Sequence, residues 1–377
     1  MATYRSYPSS RRRKRRYIVL LVLIVALFGG WSWFWSYASG KAQANLDGWR
    51  AREAKSGRVY TCGSETIGGY PFRLEVNCEQ ASAVIQSSRP PMELKANGML
   101  VAVQVYDPTL VISEFHGPLT VADPGQAPNI VVNWKLFQAS VRGTPAAPER
   151  ASLVVDRPAI DRAAGGEQQN LLRATRIEVH GRIAEGSVTS NPVIEMVLRL
   201  NKASAPGVHP AAVEPVDADI TAVLRGLKDF APKPWPARFR EVQLAGGGID
   251  ITQARVQQGD TIAVGTGTLS LNAGGRLEGQ LRVTVAGVEA FLNSIGAQQT
   301  VQTSPKMDKI AGALDRLAPG LGDVARQQAG NTISLGLNLV GEQTTLEGRR
   351  AITVPLRFDD GAIFLGPIPL GTTPALY

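Results

Sequence analysis

Charge is scarce in this sequence outside one short block. Charged residues make up 19% of the 377 residues, and the formal net charge is +8. Seven Lys and Arg residues and no acidic residue precede residue 17, so the rest of the chain is nearly neutral. Nucleic-acid binding requires clustered cations. The chain after residue 17 has no such cluster, which argues against a nucleic-acid partner.

Residues typical of catalytic sites are also few. The three histidines, His116, His180 and His209, follow no pattern that pairs them with a catalytic partner. Zinc-protease, serine-hydrolase and phosphate-loop motifs are absent. Asp359-Asp360 suits a hairpin turn, and Gly265-Thr266-Gly267 indicates a bulge or a close backbone approach within a strand. We therefore expect a protein that is not an enzyme and has no catalytic residue, metal site or cofactor.

Cysteine occurs only twice, as Cys62 and Cys78. In an oxidising compartment two thiols this close in sequence normally pair. Closing the loop between them would stabilise the fold by about 3 kcal/mol. The alternative is a pair of buried free thiols, and no neighbouring histidine suggests a metal site.

One stretch, residues 17–37, contains no formal charge at all. A bilayer core roughly 30 Å thick is crossed by about 20 apolar residues in a helix, so this stretch predicts a single transmembrane helix. Aromatic side chains favour the headgroup level at the ends of a span. The predicted membrane-anchor residues are Tyr17, Trp31, Trp33, Trp35 and Tyr37.

The basic block before the span predicts its orientation. Its members are Arg11, Arg12, Arg13, Lys14, Arg15 and Arg16. The positive-inside rule keeps such a block in the cytoplasm, so residues 1–16 form a cytoplasmic tail and the remainder is exported to the periplasmic side of the inner membrane. One alternative is a signal peptide cleaved near Ala42-Gln43-Ala44. Another is that the basic block is a nuclear-localisation or nucleic-acid patch.

Residues 38–57 predict a juxtamembrane helix that continues out of the span. They lack proline, are rich in Ala, Lys, Arg and Glu, and end at Gly57, a suitable residue just after a helix. The apolar face is thin, with Ala42, Leu46 and Trp49 as its main members. We expect either a stalk or a helix lying on the exported domain.

The period then changes from 3.6 to 2. From Phe72 to Glu79 apolar and polar residues alternate, which predicts a strand with Cys78 on its inward face. Gly68-Gly69-Tyr70-Pro71 forms the preceding turn. Apolar residues on both faces near Val101, Val103 and Val105 predict central strands or a covering helix. Further strands are expected at 94–106 and 110–115, with a turn at Asp107-Pro108 between them. The other strands expected in this half are 130–137, 152–155, 171–180 and 194–200, with a loop at 144–149.

A proline-rich segment, residues 201–215, divides the exported part into two β-rich subdomains, 58–210 and 211–377. In the second, Ile220, Val223, Leu224, Leu227 and Phe230 have helical spacing and precede prolines that end a helix. Those prolines are Pro232, Pro234 and Pro236. Strands are expected at 249–256, 261–271, 277–285, 333–339, 352–358 and 362–365, with helices at 288–295 and 307–317. Asp360-Gly361 predicts a type I′ hairpin turn. The fold class is mainly β with a few amphipathic helices (α+β), built on a long, curved antiparallel sheet.

Two motifs carry a family resemblance. The opening combines Gly48-Trp49-Arg50-Ala51-Arg52-Glu53 with Gly69-Tyr70-Pro71-Phe72-Arg73-Leu74, and the ending is Leu356 to Gly371, LRFDDGAIFLGPIPLG. Together they resemble the bacterial family called domain of unknown function 2125, a label that implies no activity and no catalytic residues. The general plan is more loosely similar to AsmA-like and tubular lipid-binding envelope proteins.

Two functions from different classes fit these patterns. The first is a membrane-anchored protein that binds a lipid or other acyl-bearing envelope component in an apolar groove. The second is a structural or assembly factor that docks envelope proteins. An enzyme is the third alternative, because carboxylates brought together from different strands leave no linear motif.

Overall fold

The computed structural model describes residues 11–86, 88, 90–144, 147–164, 167–207, 212–231, 233–287, 341–365 and 368–377. Within this part of the chain lie two helices and twenty strands. The helices are α1 (Arg11–Lys55) and α2 (Trp235–Leu244). The strands are β1 (Arg58–Thr61), β2 (Ser64–Gly68), β3 (Arg73–Ile85), β4 (Met92–Gln104), β5 (Asp107–Ala122), β6 (Ile130–Asn133), β7 (Leu136–Thr144), β8 (Ala147–Asp156), β9 (Ala159–Ala164), β10 (Glu167–Arg173), β11 (Arg176–Ser187), β12 (Ser190–Ala203), β13 (Val216–Arg225), β14 (Gly248–Gln258), β15 (Thr261–Leu271), β16 (Leu277–Ala286), β17 (Glu342–Leu346), β18 (Arg349–Asp359), β19 (Ala362–Leu365) and β20 (Ile368–Thr372).

The strands form one antiparallel sheet. Its neighbours run β3, β4, β5, β7, β8, β11, β12, β13, β14, β15, β16, β18, β19 and β20. Strands β1 and β2 both pair with the outer side of β3, and β17 pairs with β18. Strand β6 pairs with β5 and leads to the hairpin β9–β10. The predicted fold class is confirmed.

One side of this sheet is almost entirely apolar from β3 to β19. Residues directly opposite each other on neighbouring strands point to the same side of a sheet, so the register alone defines its rows. One row runs Val76, Val101, Ser113, Ala139, Leu153, Val179, Leu198, Ile220, Ala254, Gly265, Val283, Val354. The next runs Leu74, Val103, Val111, Val141, Ala151, Gly181, Met196, Ala222, Ile251, Gly267, Leu281, Leu356, Leu365. We call this side the apolar face.

The opposite side, the polar face, carries charges that alternate in sign across strands. Glu178, Arg199, Asp219 and Arg255 lie opposite one another on β11 to β14. The Arg199 guanidinium lies 3.3 Å from Asp219 and 3.6 Å from Glu178. Opposite charges directly across a sheet stabilise the pairing. Their presence on one side identifies that side as the water-facing one.

Full burial is concentrated near the C-terminal strands. Val285, Ile352 and Val354 are almost completely buried, as are Ala286 and Ala351 on the other face of the same strands. By contrast, most of the apolar face between β4 and β14 is only half-buried, and Val141 and Val179 are exposed. A large apolar surface therefore stays accessible in the middle of the sheet.

The predicted helix from Ile220 to Phe230 is wrong. Residues 216–225 form β13, which pairs on both sides, with β12 and β14. Ile220 and Leu224 point to the apolar face, whereas Val223 lies opposite Glu195 and Asp250 on the polar face. Helical and strand spacing overlap in such a short apolar run, and pairing on both edges decides the outcome.

The nearby prolines begin a helix instead of ending one. Pro234 is the N-cap of α2, and Pro236 lies in its first turn, where a missing backbone N–H costs nothing. Pro232 lies outside the described residues. The signal for α2 is this proline followed by Phe239 and Val242 one turn apart, of which Val242 is buried.

Smaller differences concern strand ends. The turn predicted at Asp107-Pro108 lies at residues 105–106, and the strand predicted at 130–137 is two strands, β6 and β7. The segment 171–180 likewise spans the end of β10 and the start of β11, and β9 was not predicted. The loop predicted at 144–149 is mostly strand, because β8 begins at Ala147.

Several predictions agree with the structure. Gly57 follows α1 with φ of 76°, and Asp360 and Gly361 both have positive φ between the paired strands β18 and β19. Gly265-Thr266-Gly267 lies opposite an irregularity in β14. The helices predicted at 288–295 and 307–317 and the strand at 333–339 lie outside the described residues. The division near residue 210 stays a prediction, although β12 and β13 on either side of it pair directly.

Two glycines of β15 provide a test of the close strand packing. Gly267 has φ of 150°, and a Cβ there would overlap the carbonyl oxygen of Gln280, whereas a Cβ on Gly265 would lie 3.3 Å from the Arg282 carbonyl. We expect Gly267→Ala to lower the free energy of unfolding by about 2 kcal/mol or more, because backbone strain adds to the clash. Gly265→Ala is the matched control and should cost clearly less. Denaturant unfolding of the full chain in detergent measures both, and equal losses would contradict the assignment.

Candidate functional site: the apolar face and the helix that covers its first strands

Helix α1 includes one segment long and apolar enough to cross a membrane. The candidate span lies within Lys14–Lys55 and has a mean hydropathy of 2.2 over its most apolar window. At 1.5 Å per residue the whole helix is about 67 Å long, so it extends well beyond a bilayer core. The predicted juxtamembrane helix is therefore the downstream half of the same helix.

This downstream half lies on the sheet. The ring of Trp49 stacks on Tyr60 of β1 with centroids 4.8 Å apart. Arg50 forms an ion pair with Glu65 of β2, and the Gln43 amide nitrogen donates to the same carboxylate at 2.9 Å. Of the two arrangements left open by the sequence, the stalk and the docked helix, the contacts fit the second.

A second set of contacts joins residues 31–35 of α1 to the β2–β3 turn. The indole nitrogens of Trp31 and Trp35 donate to the backbone oxygens of Pro71 and Arg73, both at 2.8 Å. The Tyr70 ring meets Trp35 edge-on, with centroids 5.6 Å apart. The turn is therefore attached to the downstream end of the apolar segment.

The other predicted anchor residues point elsewhere. Trp33 and Tyr37 are exposed and stack on each other with ring centroids 6.0 Å apart. Tyr17 is also exposed, near the start of the helix. The basic residues Arg11 to Arg16 form its first turns. Their roles as interfacial anchors and as topology determinants stay predictions.

The structure contains the expected Cys62–Cys78 disulfide. The Cα atoms are 5.4 Å apart, and the bond joins the segment between β1 and β2 to the middle of β3. Cys78 is buried on the apolar face, opposite Met99 of β4. The disulfide thus fixes the strands on which α1 rests.

An apolar cavity of about 720 Å³ lies between α1 and the sheet. From the helix it is lined by Ala42, Leu46 and Trp49, and from the sheet mainly by apolar residues of β3, β4 and β5. Those residues are Val76, Cys78, Ala81, Ala83, Leu94, Ala96, Met99, Val101, Val103, Val111, Phe115 and Leu119. Its volume is typical of small-molecule sites. Val101 and Val103 were predicted to lie centrally or beneath a helix, and they do, whereas Val105, predicted with them, lies in the turn between β4 and β5.

A second concavity of about 790 Å³ lies between α2 and the ends of β12 and β13. Lys228, Arg240 and Glu241 contribute to its lining. Glu241 and Asp229 also hold Lys233 and Arg238 in ion pairs. Such a charged rim does not suit an apolar ligand, so the cavity beneath α1 is the better candidate for one.

The polar residues considered for catalysis are not brought together. His180 lies 3.1 Å from Glu178, and His116 lies 3.8 Å from Glu114, on different strands of the polar face. His209 lies outside the described residues. Asp360 accepts a hydrogen bond from the Asn272 amide in the last hairpin. Within the described ranges, no three His, Cys, Asp or Glu residues lie close enough to hold a metal ion.

The fold and these contacts define a class of protein: a helix able to span a membrane, docked on a long sheet with one polar and one apolar face. The chain belongs to the family described as "uncharacterized protein conserved in bacteria (DUF2125)", whose model matches residues 35–374. No curated protein matches the chain significantly. The two motifs of the opening, residues 48–53 and 69–74, take part in most of the contacts described between α1 and the sheet. The looser likeness to AsmA-like proteins stays a prediction.

Sequence reasoning proposed an apolar groove but did not locate the cavity, and it missed the ladder of alternating charges on the polar face. The sequence contained part of the signal for this ladder. In strands where polar and apolar residues alternate, the polar positions include Glu178, Arg199, Asp219 and Arg255. Their juxtaposition depends on register, which turns and bulges set and which no single strand reveals. The cavity depends on where α1 lies, and its thin apolar face gave little indication.

Breaking the disulfide should loosen this region. We expect Cys62→Ala/Cys78→Ala to lower the free energy of unfolding by about 3 kcal/mol, because the closed loop of 16 residues restricts the unfolded chain. Denaturant unfolding with and without reductant measures the effect. Reductant should destabilise the wild type by a similar amount and leave the double variant unchanged. A wild type that is insensitive to reductant after verified reduction would contradict the prediction.

The Arg50–Glu65 pair should make the helix–sheet contact pH-dependent. Hydrogen bonding from Arg50 lowers the pKa of Glu65 below its ordinary value despite partial burial. The resulting stabilisation is fully present above the unfolded pKa of about 4.3 and is lost as the pH falls through the lowered folded pKa. Glu65→Gln should therefore cost most near neutral pH and progressively less in acid. Thermal unfolding of the wild type and of the variant across this range tests the trend.

Arg50→Gln provides the matched control. It removes the guanidinium and leaves Glu65 in place, so the variant should lose the same pH-dependent share of stability. A stability difference between wild type and Glu65→Gln that is constant with pH would contradict the assigned ion pair.

Proposed function

We propose that the protein is a non-catalytic binding protein, anchored in the inner membrane by α1, that holds acyl chains of envelope lipids on its apolar face. The single observation that carries this proposal is the continuity of the apolar face across the sheet. The strand spacing of about 4.8 Å gives that face a length on the order of 50 Å from β3 to β18. Exposed apolar patches of a few hundred Å², much smaller in area than a face of this length, already mark binding surfaces on soluble domains.

Two features favour acyl chains over a compact ligand. The face is an open strip with half-buried side chains along its middle, which suits a long flexible chain. The two rows given above contain no charged residue, and the Arg50–Glu65 pair beside the cavity is the exception, because Glu65 lies opposite Cys78 on this face. A charged ligand would therefore find most of its partners on the polar face. The cavity beneath α1 offers the most enclosed part of the strip.

The location of the cavity favours a source in the membrane. It is lined by α1 residues that follow directly on the apolar segment, so an acyl chain entering from the bilayer would reach it first. The basic block at the start of α1 supports a cytoplasmic N-terminus, and the Cys62–Cys78 disulfide supports an oxidising, periplasmic location for the sheet.

Photocrosslinking in intact cells tests the proposal at adjacent positions. Val179 and Ile249 lie on the apolar face and are exposed, whereas His180 and Asp250 follow them in sequence and point to the polar face. With p-benzoylphenylalanine at each position in the full chain, irradiation should give lipid adducts at Val179 and Ile249. The matched positions His180 and Asp250 should give few or none.

Mass spectrometry of the crosslinked peptides distinguishes the outcomes. Adducts with the mass of a phospholipid or another acylated molecule support the proposal. Protein adducts at Val179 and Ile249 without lipid would favour an assembly factor that docks envelope proteins. Equal lipid labelling at all four positions would reflect nonspecific contact and would contradict binding on the apolar face.

A further inference from the structure

Two neighbouring turns, which connect strands at the same end of the sheet, expose aromatic side chains. The β2–β3 turn carries Tyr70 and Phe72, and the β4–β5 turn carries Tyr106, with exposed fractions of 50%, 61% and 65%. The Val105 amide donates to the Phe72 carbonyl at 3.0 Å and thereby joins the two turns. In a protein with only 6% aromatic residues, this exposed group is unusual.

Contacts with α1 define the level of these turns relative to a membrane. Trp31 and Trp35 donate to the β2–β3 turn, and the hydroxyls of Ser32 and Tyr70 are 2.8 Å apart. These helix residues lie at the downstream end of the uncharged segment 17–37. Residues 31 and 35 are about 21 Å and about 27 Å along the axis from residue 17, which is in the last third of a core about 30 Å thick. If the segment crosses a bilayer, the turns lie at the outer boundary of the core, next to the headgroups.

The chemistry of the turns suits that level. Tyrosine and phenylalanine side chains combine large apolar rings with tolerance of the interface. Arg73 at the start of β3 is exposed and lies beside them, with its guanidinium 3.1 Å from the Glu75 carboxylate. From this position the guanidinium can also reach lipid phosphates while its stem stays in apolar surroundings. Trp33 and Tyr37 are exposed on the adjoining part of α1. The group therefore matches an interfacial aromatic belt with a cation.

We propose that the β2–β3 and β4–β5 turns form a membrane-contacting foot that inserts Tyr70, Phe72 and Tyr106 into the headgroup layer of the bilayer that α1 spans. The occupant of this surface is thus the anchoring membrane itself. The foot fixes the tilt of the sheet, because α1 and the turns together give two points of attachment. The foot also places the cavity next to the membrane, because Val103, which lines the cavity, is only three residues from Tyr106 in the foot. The inference rests on the anchoring part of the proposed function and not on lipid carriage.

Spin labelling of the full chain tests the foot. Both native cysteines are in the disulfide, so an introduced cysteine is the only free thiol. Tyr106→Cys and Phe72→Cys place labels in the foot, and Gln126→Cys places one in the exposed turn after β5, about 50 Å away along that strand. Phe28→Cys places one within the span. The labelled chains are reconstituted in bilayers of phosphatidylcholine with phosphatidylglycerol, and collision rates with oxygen and with a nickel chelate are compared.

The expected ratio of oxygen to nickel-chelate collisions is highest at residue 28, intermediate at residues 72 and 106, and lowest at residue 126. The two foot positions should exceed residue 126 several-fold. Ratios at residues 72 and 106 equal to that at residue 126, with residue 28 in lipid, would overturn the foot while leaving the anchor intact. A water-like ratio at residue 28 would overturn the anchoring part of the proposed function and the foot with it.

Discussion

The structure depends on one constraint: the central strands pair in a register that keeps apolar residues on one side of the sheet, even across the irregularity between Ile251 and Ala254 of β14. Because side chains alternate across a sheet, a slip of one residue would exchange the faces of a whole strand. The register instead aligns Val101, Val179 and Val283 in one row and Glu178 with Arg199 on the other side. Hydrophobic and electrostatic preferences therefore favour the same pairing.

An amphipathic sheet of this size poses the question of what covers its apolar side. At its first strands the answer is α1, which covers Val101 and Val103 and leaves a cavity beneath it. Along the middle, Val141 and Val179 stay exposed. This change along the apolar face, from a cavity beneath α1 to exposed side chains in the middle of the sheet, distinguishes the face from an ordinary buried core.

The junction between α1 and the sheet attaches the apolar segment of the helix to that surface. The contacts are of different kinds along the helix: indole hydrogen bonds at Trp31 and Trp35, and further on the Trp49 stack and the Arg50–Glu65 ion pair. A helix held at several points cannot swing freely as a stalk would. The orientation of the sheet relative to the apolar segment of α1 is consequently a property of the fold and not of a flexible linker.

Local pattern alone determined the uncharged span, most of the alternating strands and the Asp360-Gly361 hairpin, because each depends on residues close in sequence. It favoured the pairing of Cys62 with Cys78 but left two free thiols as an alternative, which the structure decided. Tertiary structure alone decided that residues 216–225 form a strand, since pairing with β12 and β14 outweighs spacing that also suits a helix. It also decided the continuity of the apolar face and the cavity beneath α1. Both depend on register and on helix placement, which arise from contacts between residues far apart in the chain.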